Sequence, residues 1–239
     1  MAITTRAVGY DHEGAKFEGM LAYDDSRKGA RPAVIVSHAW AGRSDIEIGY
    51  AKKLAALGYA GFALDLYGGA KVAADREECQ KLMMPLATNR PKLQARLLRI
   101  VDVVKGLPEV DAAKVAVIGF CFGGLCALDA ARAGADIKGA ASFHGILTPP
   151  GNTAGKTIKG KIAVYHGWDD PMVKPETVLA LAKELTEAKA DWTITAFGGA
   201  MHAFMTPGAN DPDFGTVYNE KIARRAWASL EDFLKECFG

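Results

Sequence analysis

A cysteine stands at a point where the chain is expected to turn sharply from a buried strand into a helix. Cys121 follows the apolar run at 115–120, and Gly119 and Gly123 flank it in a Gly-x-Cys-x-Gly pattern. A turn this tight leaves no room for Cβ atoms beside the nucleophile, and glycine tolerates its strained dihedral angles. Free N–H groups at the start of the following helix favour a thiolate or a nearby oxyanion. The pattern predicts a nucleophilic thiol, with a buried and inert cysteine as the alternative for this motif taken alone.

Two later loops carry an acid and a histidine. Asp169 and Asp170 follow one predicted strand, and His202 follows the last one. In parallel sheets the functional residues gather at the carboxyl ends of strands, and the chain order nucleophile, acid, histidine is that of α/β-hydrolases. We therefore predict a triad in which His202 exchanges protons with Cys121 and the leaving group, while Asp170 holds the imidazole. Asp169 is the competing acid, with a solvated turn carboxylate as its other interpretation.

The elements that position these residues alternate along the chain. Residues 4–10 and 16–23 predict an N-terminal antiparallel hairpin. Further strands are predicted at 33–37, 59–64, 114–118, 139–143, 161–165 and 193–197, and helices at 45–57, 75–84, 91–105, 123–133, 175–188 and 218–238. Pro85 and Pro91 are expected to separate the second and third helices. The pattern predicts an α/β fold of the α/β-hydrolase type, with a mainly parallel central sheet, helices on both faces and one domain over residues 1–239.

Composition excludes several classes of function. The net charge is +1 and no basic cluster stands out, so nothing predicts a nucleic-acid partner. No apolar run has the length of a membrane span, and the N-terminus has no signal-peptide core. The four cysteines show no CxxC spacing, so we expect a reduced, cytoplasmic protein without a disulfide framework or a metal site.

The predicted chemistry also needs an oxyanion hole and a pocket. Two N–H donors are required, and we expect them from the backbone of Phe122 and of Ala39, with Trp40 as the alternative to Ala39. Several side chains near strand ends are candidates for substrate contacts. Core or rim packing is the alternative for the aromatic ones, and a structural hydrogen bond to the loop backbone is the alternative for His38. The candidates are His38, Trp40, Trp168 and Phe204.

In its motifs the chain resembles the dienelactone hydrolase family, the cysteine-nucleophile branch of the α/β-hydrolases. The resemblance runs from about residue 15 to the end. It is carried by Ala-Leu-Asp-Leu-Tyr at 63–67, Gly-Phe-Cys-Phe-Gly-Gly at 119–124, Gly-Trp-Asp-Asp at 167–170 and Met-His-Ala-Phe at 201–204. It implies the same triad and an enzyme that opens lactone or ester bonds without metal or cofactor. It also implies a cytoplasmic monomer, with a homodimer as the alternative.

Two departures from the family bear on the substrate. Family enzymes that open dienelactone have a glutamate where this chain has His38, and an arginine shortly after the histidine that corresponds to His202. The resemblance also matches a further family arginine to Arg76, which is a candidate for binding a substrate carboxylate, with a solvated helix charge as the alternative. We expect a small lactone or ester to be hydrolysed through an acyl-enzyme. The alternatives are a broader carboxylesterase or thioesterase for neutral substrates, and a non-catalytic binding protein with this fold.

Overall fold

The computed structural model describes residues 2–239, which form one large mixed sheet with helices on both faces. The strands are β1 Ile3–His12, β2 Ala15–Asp24, β3 Arg31–Ser37, β4 Ala60–Ala63, β5 Val110–Phe120, β6 Gly139–Phe143, β7 Lys161–Gly167, β8 Trp192–Phe197, β9 Asn210–Asp211 and β10 Thr216–Val217. The helices are α1 Asp45–Ala56, α2 Arg76–Ala87, α3 Arg90–Lys105, α4 Phe122–Arg132, α5 Pro175–Glu187 and α6 Glu220–Phe238. Among these residues no helix is long and apolar enough to cross a bilayer.

The strand order in the sheet is β1-β2-β4-β3-β5-β6-β7-β8. The hairpin of β1 and β2 is antiparallel and joins β4 in antiparallel fashion, whereas all the other neighbours are parallel. At the carboxyl ends Ser37 lies beside Gly119, and Gly119 lies beside Ser142. The loops after β3, β5 and β6 therefore leave the sheet at one level. The predicted α/β fold with a mainly parallel central sheet is confirmed.

The sheet separates two apolar cores because alternate residues of a doubly covered strand point to opposite faces. Ile35 belongs to the core beneath α3, α4 and α5, while Val34 and Val36 belong to the core beneath α1 and α6. All three side chains are at most 1% exposed. At about 25 cal/mol per Å² of buried apolar surface, these cores supply the main stabilisation of a sheet that holds the functional loops in place.

Two details differ from the sequence-based expectations. The prediction that Pro85 ends the second helix is wrong, because α2 includes Pro85 and continues to Ala87. Proline removes one backbone donor, but Pro85 lies in the last turn, and the next residue, Leu86, is buried in the core beneath α3. The short hairpin of β9 and β10 was not predicted, since strands of two residues carry no periodic pattern.

Candidate active site

Cys121 sits at a strained elbow between β5 and α4. Its dihedral angles are φ 55° and ψ −117°, in a region that costs a non-glycine residue on the order of 1–3 kcal/mol. The Cys121 N–H donates to the Phe143 carbonyl at 3.1 Å, and the Gly124 N–H donates to the Cys121 carbonyl at 2.9 Å. A Cβ at Gly119 would lie 2.0 Å from the Gly123 carbonyl oxygen. Gly119 therefore makes room for the turn, as predicted, because any side chain there would collide with Gly123.

The acid and the histidine meet at the carboxyl ends of β7 and β8. Asp170 Oδ2 accepts a hydrogen bond from His202 Nδ1 at 2.7 Å, and both residues are buried. Asp170 Oδ1 accepts from the Met172 N–H at 2.8 Å, and the Val217 N–H donates to the His202 carbonyl at 3.0 Å. Asp169 is exposed to solvent. Of the two carboxylates, only that of Asp170 orients the imidazole.

The other nitrogen of His202 is left for the reaction. Nε2 is buried and makes no hydrogen bond of normal geometry to the described residues. Burial is the largest single influence on the pKa of His202 and lowers it, but the interactions with Cys121 and the bond to Asp170 outweigh burial and raise the pKa to about 10. Cys121 and Asp170 both favour the protonated form of the ring.

Two backbone N–H groups beside Cys121 are free for an oxyanion. Phe122 is the first residue of α4, where an N–H has no partner within its own helix. Ala39 lies in the loop after β3, which comprises residues 38–44 and which we call the oxyanion loop. Ala39 lines the same cavity as Cys121. Within residues 2–239, neither N–H donates a backbone hydrogen bond. Both predicted donors are therefore available.

His38 shapes the oxyanion loop and does not reach the cavity. Its Nε2 accepts from the Leu66 N–H at 3.2 Å, so Nδ1 carries the proton and donates to the Ala39 carbonyl at 2.7 Å. The ring is fully buried, and burial lowers its pKa. The Tyr67 hydroxyl donates to the Trp40 carbonyl at 2.8 Å. With its nitrogens satisfied, His38 makes the structural hydrogen bond to the loop backbone that was the alternative to a substrate contact, and it has a positioning role.

A cavity of about 380 Å³ opens over the sulfur. Cys121, His202 and three other predicted residues, Ala39, Trp40 and Arg76, line it. Most of the remaining lining is apolar and was not predicted, namely Ile46, Tyr50, Met83, Phe120, Ile146, Met172 and Phe214. These residues come from helices and loops far apart in the sequence, and no local motif marks them. The cavity suits a small, largely apolar molecule.

Two predicted substrate contacts lie elsewhere. Trp168 is on the surface with 46% of its area exposed, and Phe204 is fully buried. Phe204 packs its ring edge-on to His144 and Phe197, at centroid distances of 5.2 Å and 5.7 Å. Neither residue lines the cavity, because one ring points to solvent and the other fills the core beneath the loop of His202.

Arg76 is at the mouth of the cavity but is already engaged. Its Nη2 lies 2.6 Å from Asp211 Oδ2, and its guanidinium stands 4.3 Å from the centroid of the Phe214 ring. Phe214 in turn stacks on Trp40 at 6.1 Å. This rim, formed by Arg76, Asp211, Phe214 and Trp40, joins α2 to the β9–β10 hairpin.

The second charged group at the cavity wall is a helix cap. The Glu47 carboxylate accepts hydrogen bonds from the Ser44 N–H at 2.9 Å and the Ser44 hydroxyl at 2.7 Å, in a capping box that begins α1. The Ser-x-x-Glu spacing is a recognisable sequence signal that was missed.

Within residues 2–239, no three His, Cys, Asp or Glu side chains form a group able to hold a metal ion.

The mostly parallel sheet with a cysteine elbow and an acid–histidine pair at its carboxyl edge is the architecture of an α/β-hydrolase. Comparison with known proteins gives the family. The model of the dienelactone hydrolase family matches residues 17–238. The chain therefore belongs to the dienelactone hydrolase family and is a carboxylic-ester or lactone hydrolase.

Individual relatives agree with this assignment. An Aquifex aeolicus (strain VF5) protein provisionally named carboxymethylenebutenolidase is 30% identical over 234 residues, which cover 95% of this chain and 96% of the relative. An uncharacterized Caenorhabditis elegans protein is 38% identical over 150 residues, or 62% of this chain and 95% of the relative. The crystal structure of the dienelactone hydrolase-like promiscuous phosphotriesterase P91, from metagenomic libraries, superposes over 100% of both chains with a TM-score of 0.95 and 34% identity.

Proposed function

We propose that the enzyme opens small, uncharged lactones or esters through a covalent thioester on Cys121. One observation carries the proposal: the sulfur at the strained elbow shares an apolar cavity with His202, whose other nitrogen is hydrogen bonded to Asp170 at 2.7 Å. A nucleophile, a base and a group that orients the base are the three parts of nucleophilic acyl transfer.

The first half-reaction starts from the thiolate of Cys121 and the imidazolium of His202. The sulfur attacks the carbonyl carbon, and the electron pair of the C=O bond moves to oxygen, where the N–H groups of Ala39 and Phe122 stabilise the charge. When the intermediate collapses, the C–O bond to the alcohol breaks and the leaving oxygen takes the proton from His202 Nε2. A thioester and an alcohol result, and in a lactone the alcohol stays attached to the acyl group.

Water completes the cycle. It gives a proton to His202 Nε2 as its oxygen attacks the thioester carbon, and the thiolate leaves as the carboxylic product forms. Asp170 keeps the ring in one orientation and favours its protonated form throughout. The resting ion pair is then restored, so no other reactant is consumed.

The cavity argues for an uncharged substrate. Its lining is mostly apolar, and the guanidinium of Arg76 is paired with Asp211 at 2.6 Å. A buried substrate carboxylate would need a partner of its own. The family match and the name of the Aquifex aeolicus relative favour a lactone. A broader carboxylesterase or thioesterase is the alternative, and a non-catalytic binding protein is the least favoured.

The decisive experiment replaces the sulfur. Cys121→Ala should lower the hydrolysis of a neutral γ-lactone and of p-nitrophenyl acetate by at least about a thousandfold while the protein stays folded. Cys126→Ala is the matched control, because Cys126 lies on the same α4 helix but is fully buried. Mass spectrometry after rapid acid quench should find the acyl group on Cys121. Undiminished turnover in Cys121→Ala would overturn the proposal.

A second reaction is favoured by one relative. P91, named a promiscuous phosphotriesterase, matches this chain over its whole length, and a neutral phosphotriester fits an apolar cavity as well as an ester does. We propose slow hydrolysis of paraoxon, in which the Cys121 sulfur attacks phosphorus, the P–O bond to the nitrophenyl group breaks and the leaving oxygen takes the proton from His202 Nε2. Water then gives a proton to His202 Nε2 as its oxygen attacks phosphorus, and the thiolate leaves as diethyl phosphate forms. The readout is p-nitrophenol formation that is lost in Cys121→Ala; equal rates in both proteins would rule this activity out.

We also propose that the enzyme acts as a cytoplasmic monomer on small molecules, without nucleic-acid or membrane partners. Its cysteines Cys79, Cys121, Cys126 and Cys237 are free thiols, a state that a reducing compartment maintains. A homodimer is the alternative, and light scattering at micromolar concentration distinguishes the two by mass.

A further inference from the structure

A second buried histidine lines the cavity, and the mechanism above does not use it. His144 follows β6, is 1% exposed, and lines the same cavity as Cys121 and His202. Neither of its ring nitrogens has a hydrogen-bond partner among the described residues. Its ring stands edge-on to that of His202 at a centroid distance of 5.0 Å. Buried polar side chains almost always have partners, and leaving one unpaired costs about 1–3 kcal/mol.

The backbone holds this ring in place at a further cost. His144 has φ 36°, which is uncommon for a residue with a Cβ. Its N–H donates to the Tyr165 carbonyl at 2.8 Å. A Cβ at the next residue, Gly145, would lie 2.2 Å from Ser142 Oγ and 3.0 Å from Gly124 Cα, so the chain after His144 packs directly against the start of α4. Strain of this kind persists where surrounding contacts fix the conformation, and it is concentrated at functional sites.

The ring is neutral and offers both kinds of hydrogen bond. Burial, followed by the charge of His202, holds the pKa of His144 well below its usual range. A neutral imidazole has one donor and one acceptor nitrogen. Three other polar side chains of the cavity are engaged with the protein: Glu47 with Ser44, Arg76 with Asp211, and the Tyr50 hydroxyl with the Met205 carbonyl at 2.8 Å. The ring of His144 thus lies in the wall of the space that a substrate would fill, and no described residue meets its hydrogen-bonding capacity.

We propose that His144 is a substrate-binding residue that hydrogen bonds a hydroxyl on the alcohol portion of the substrate, next to the leaving oxygen. The position follows from the ring contact with His202, because His202 delivers its proton to that oxygen. A hydroxyl both donates and accepts, so it can bond either nitrogen of a neutral imidazole. The preferred substrates are then esters of diols and lactones with a hydroxyl near the ring oxygen. This inference rests on the proposed hydrolase function and deepens it.

The test compares two esters that differ in one group. 2-Hydroxyethyl phenylacetate and propyl phenylacetate have the same acyl part and nearly the same shape, but one ends in a hydroxyl and the other in a methyl. The readout is the ratio of their kcat/KM values. In the wild type we expect the hydroxyl ester to be favoured by about tenfold, the scale of one hydrogen bond in a water-excluded site.

Three variants separate binding from structure. His144→Phe keeps a ring without nitrogens and should bring the ratio close to one. His144→Asn keeps a donor and an acceptor and tolerates positive φ, so it should retain part of the preference. His166→Phe is the matched control, because His166 is 1% exposed with both nitrogens unpartnered but does not line the cavity. Its ratio should equal that of the wild type.

Outcomes are distinguishable even when a variant folds poorly. In Cys121→Ala, which cannot turn over, titration with 2-hydroxyethyl phenylacetate should shift the ring 15N signals of His144, and propyl phenylacetate should not. An unchanged ratio in folded His144→Phe, or equal shifts with both esters, overturns the inference and leaves the hydrolase proposal standing. A wild type that hydrolyses neither these esters nor any neutral lactone overturns both.

Discussion

Gly123 and Ser37 touch at the point where the nucleophile elbow meets the oxyanion loop. A Cβ at Gly123 would lie 2.2 Å from the Ser37 carbonyl oxygen and 2.7 Å from that of His38. Both obstacles are backbone atoms, which cannot rotate away as the end of a side chain can. The start of α4 and the strand end that leads to Ala39 are therefore in direct contact, and the two proposed oxyanion donors depend on it.

We predict that Gly123→Ala destabilises the protein by at least about 2 kcal/mol, because the clash must move one of two backbone segments. Loss of kcat/KM should accompany it, since the separation of the two donors changes. Gly49→Ala is the control: Gly49 also lies in a helix, α1, but a Cβ there meets nothing within 4 Å. It should be neutral or stabilising by up to about 1 kcal/mol. Urea denaturation measures the free energy of unfolding, and esterase assays measure kcat/KM. Equal changes in Gly123→Ala and Gly49→Ala would contradict the prediction.

Asp170 and Asp169 provide a paired test of the acid. Asp170→Asn removes the charge that holds His202 Nδ1 at 2.7 Å, so kcat/KM should fall by about a thousandfold. Asp169→Asn changes an exposed side chain and should remain within about twofold of the wild type. Assays of both variants with one ester decide the matter, and a larger loss in Asp169→Asn would refute the assignment of Asp170.

The charge of His202 should respond to Cys121. Its folded-state pKa, raised to about 10, lies above the usual value of 6.5. The resulting stabilisation is therefore complete below about pH 6.5 and is lost as the pH rises toward 10. In Cys121→Ala the electrostatic interaction with Cys121, which is the largest of the influences that raise the pKa of His202, is absent. The pKa of His202 should therefore fall, and the protein should lose less stability as the pH rises toward 10.

Ring 15N signals followed from pH 5 to 11 measure that pKa, and urea denaturation at pH 6, 8 and 10 measures the linked stability. His38 is an internal reference, because burial is the main influence that lowers its pKa and neither Cys121 nor His202 is among its other influences. A His202 pKa that is the same in both proteins would show that Cys121 does not hold the proton on the ring.

How far the sequence predicts this site depends on whether a local pattern exists. Cys121 was predicted because a tight turn requires Gly119 and Gly123 around it. Asp170 and His202 were predicted because strand ends of a parallel sheet share one edge. Each prediction uses a rule about neighbouring residues or strand order, so it needs no knowledge of tertiary packing.

The contacts that escaped prediction are made by tertiary packing alone. Arg76 and Asp211 are separated by 135 positions and meet at the mouth of the cavity. His38 was a candidate for substrate contact, but one of its two ring hydrogen bonds comes from Leu66, which follows another strand. Trp168 and Phe204 follow strands just as catalytic residues do, yet one is exposed and the other fills the core. Position at a strand end does not determine which way a side chain points.

The ion pair at the rim leads to a prediction about substrate charge. Arg76 and Asp211 together present little net charge to the cavity, so the wild type should favour a neutral lactone over a dienelactone, which carries a carboxylate. Asp211→Asn removes the partner at 2.6 Å and frees the guanidinium, which can then bind a carboxylate. We expect kcat/KM for dienelactone to rise by about tenfold relative to that for the neutral lactone, mainly through a lower KM.

The double variant Arg76→Ala with Asp211→Asn is the matched control, because it removes the cation along with its partner and should abolish the gain. High salt should weaken the gain as well, since the Arg76 side chain is 62% exposed and exposed charges are screened. A wild-type preference for dienelactone by about a hundredfold, or a gain that persists without Arg76, would show that another group holds the substrate carboxylate.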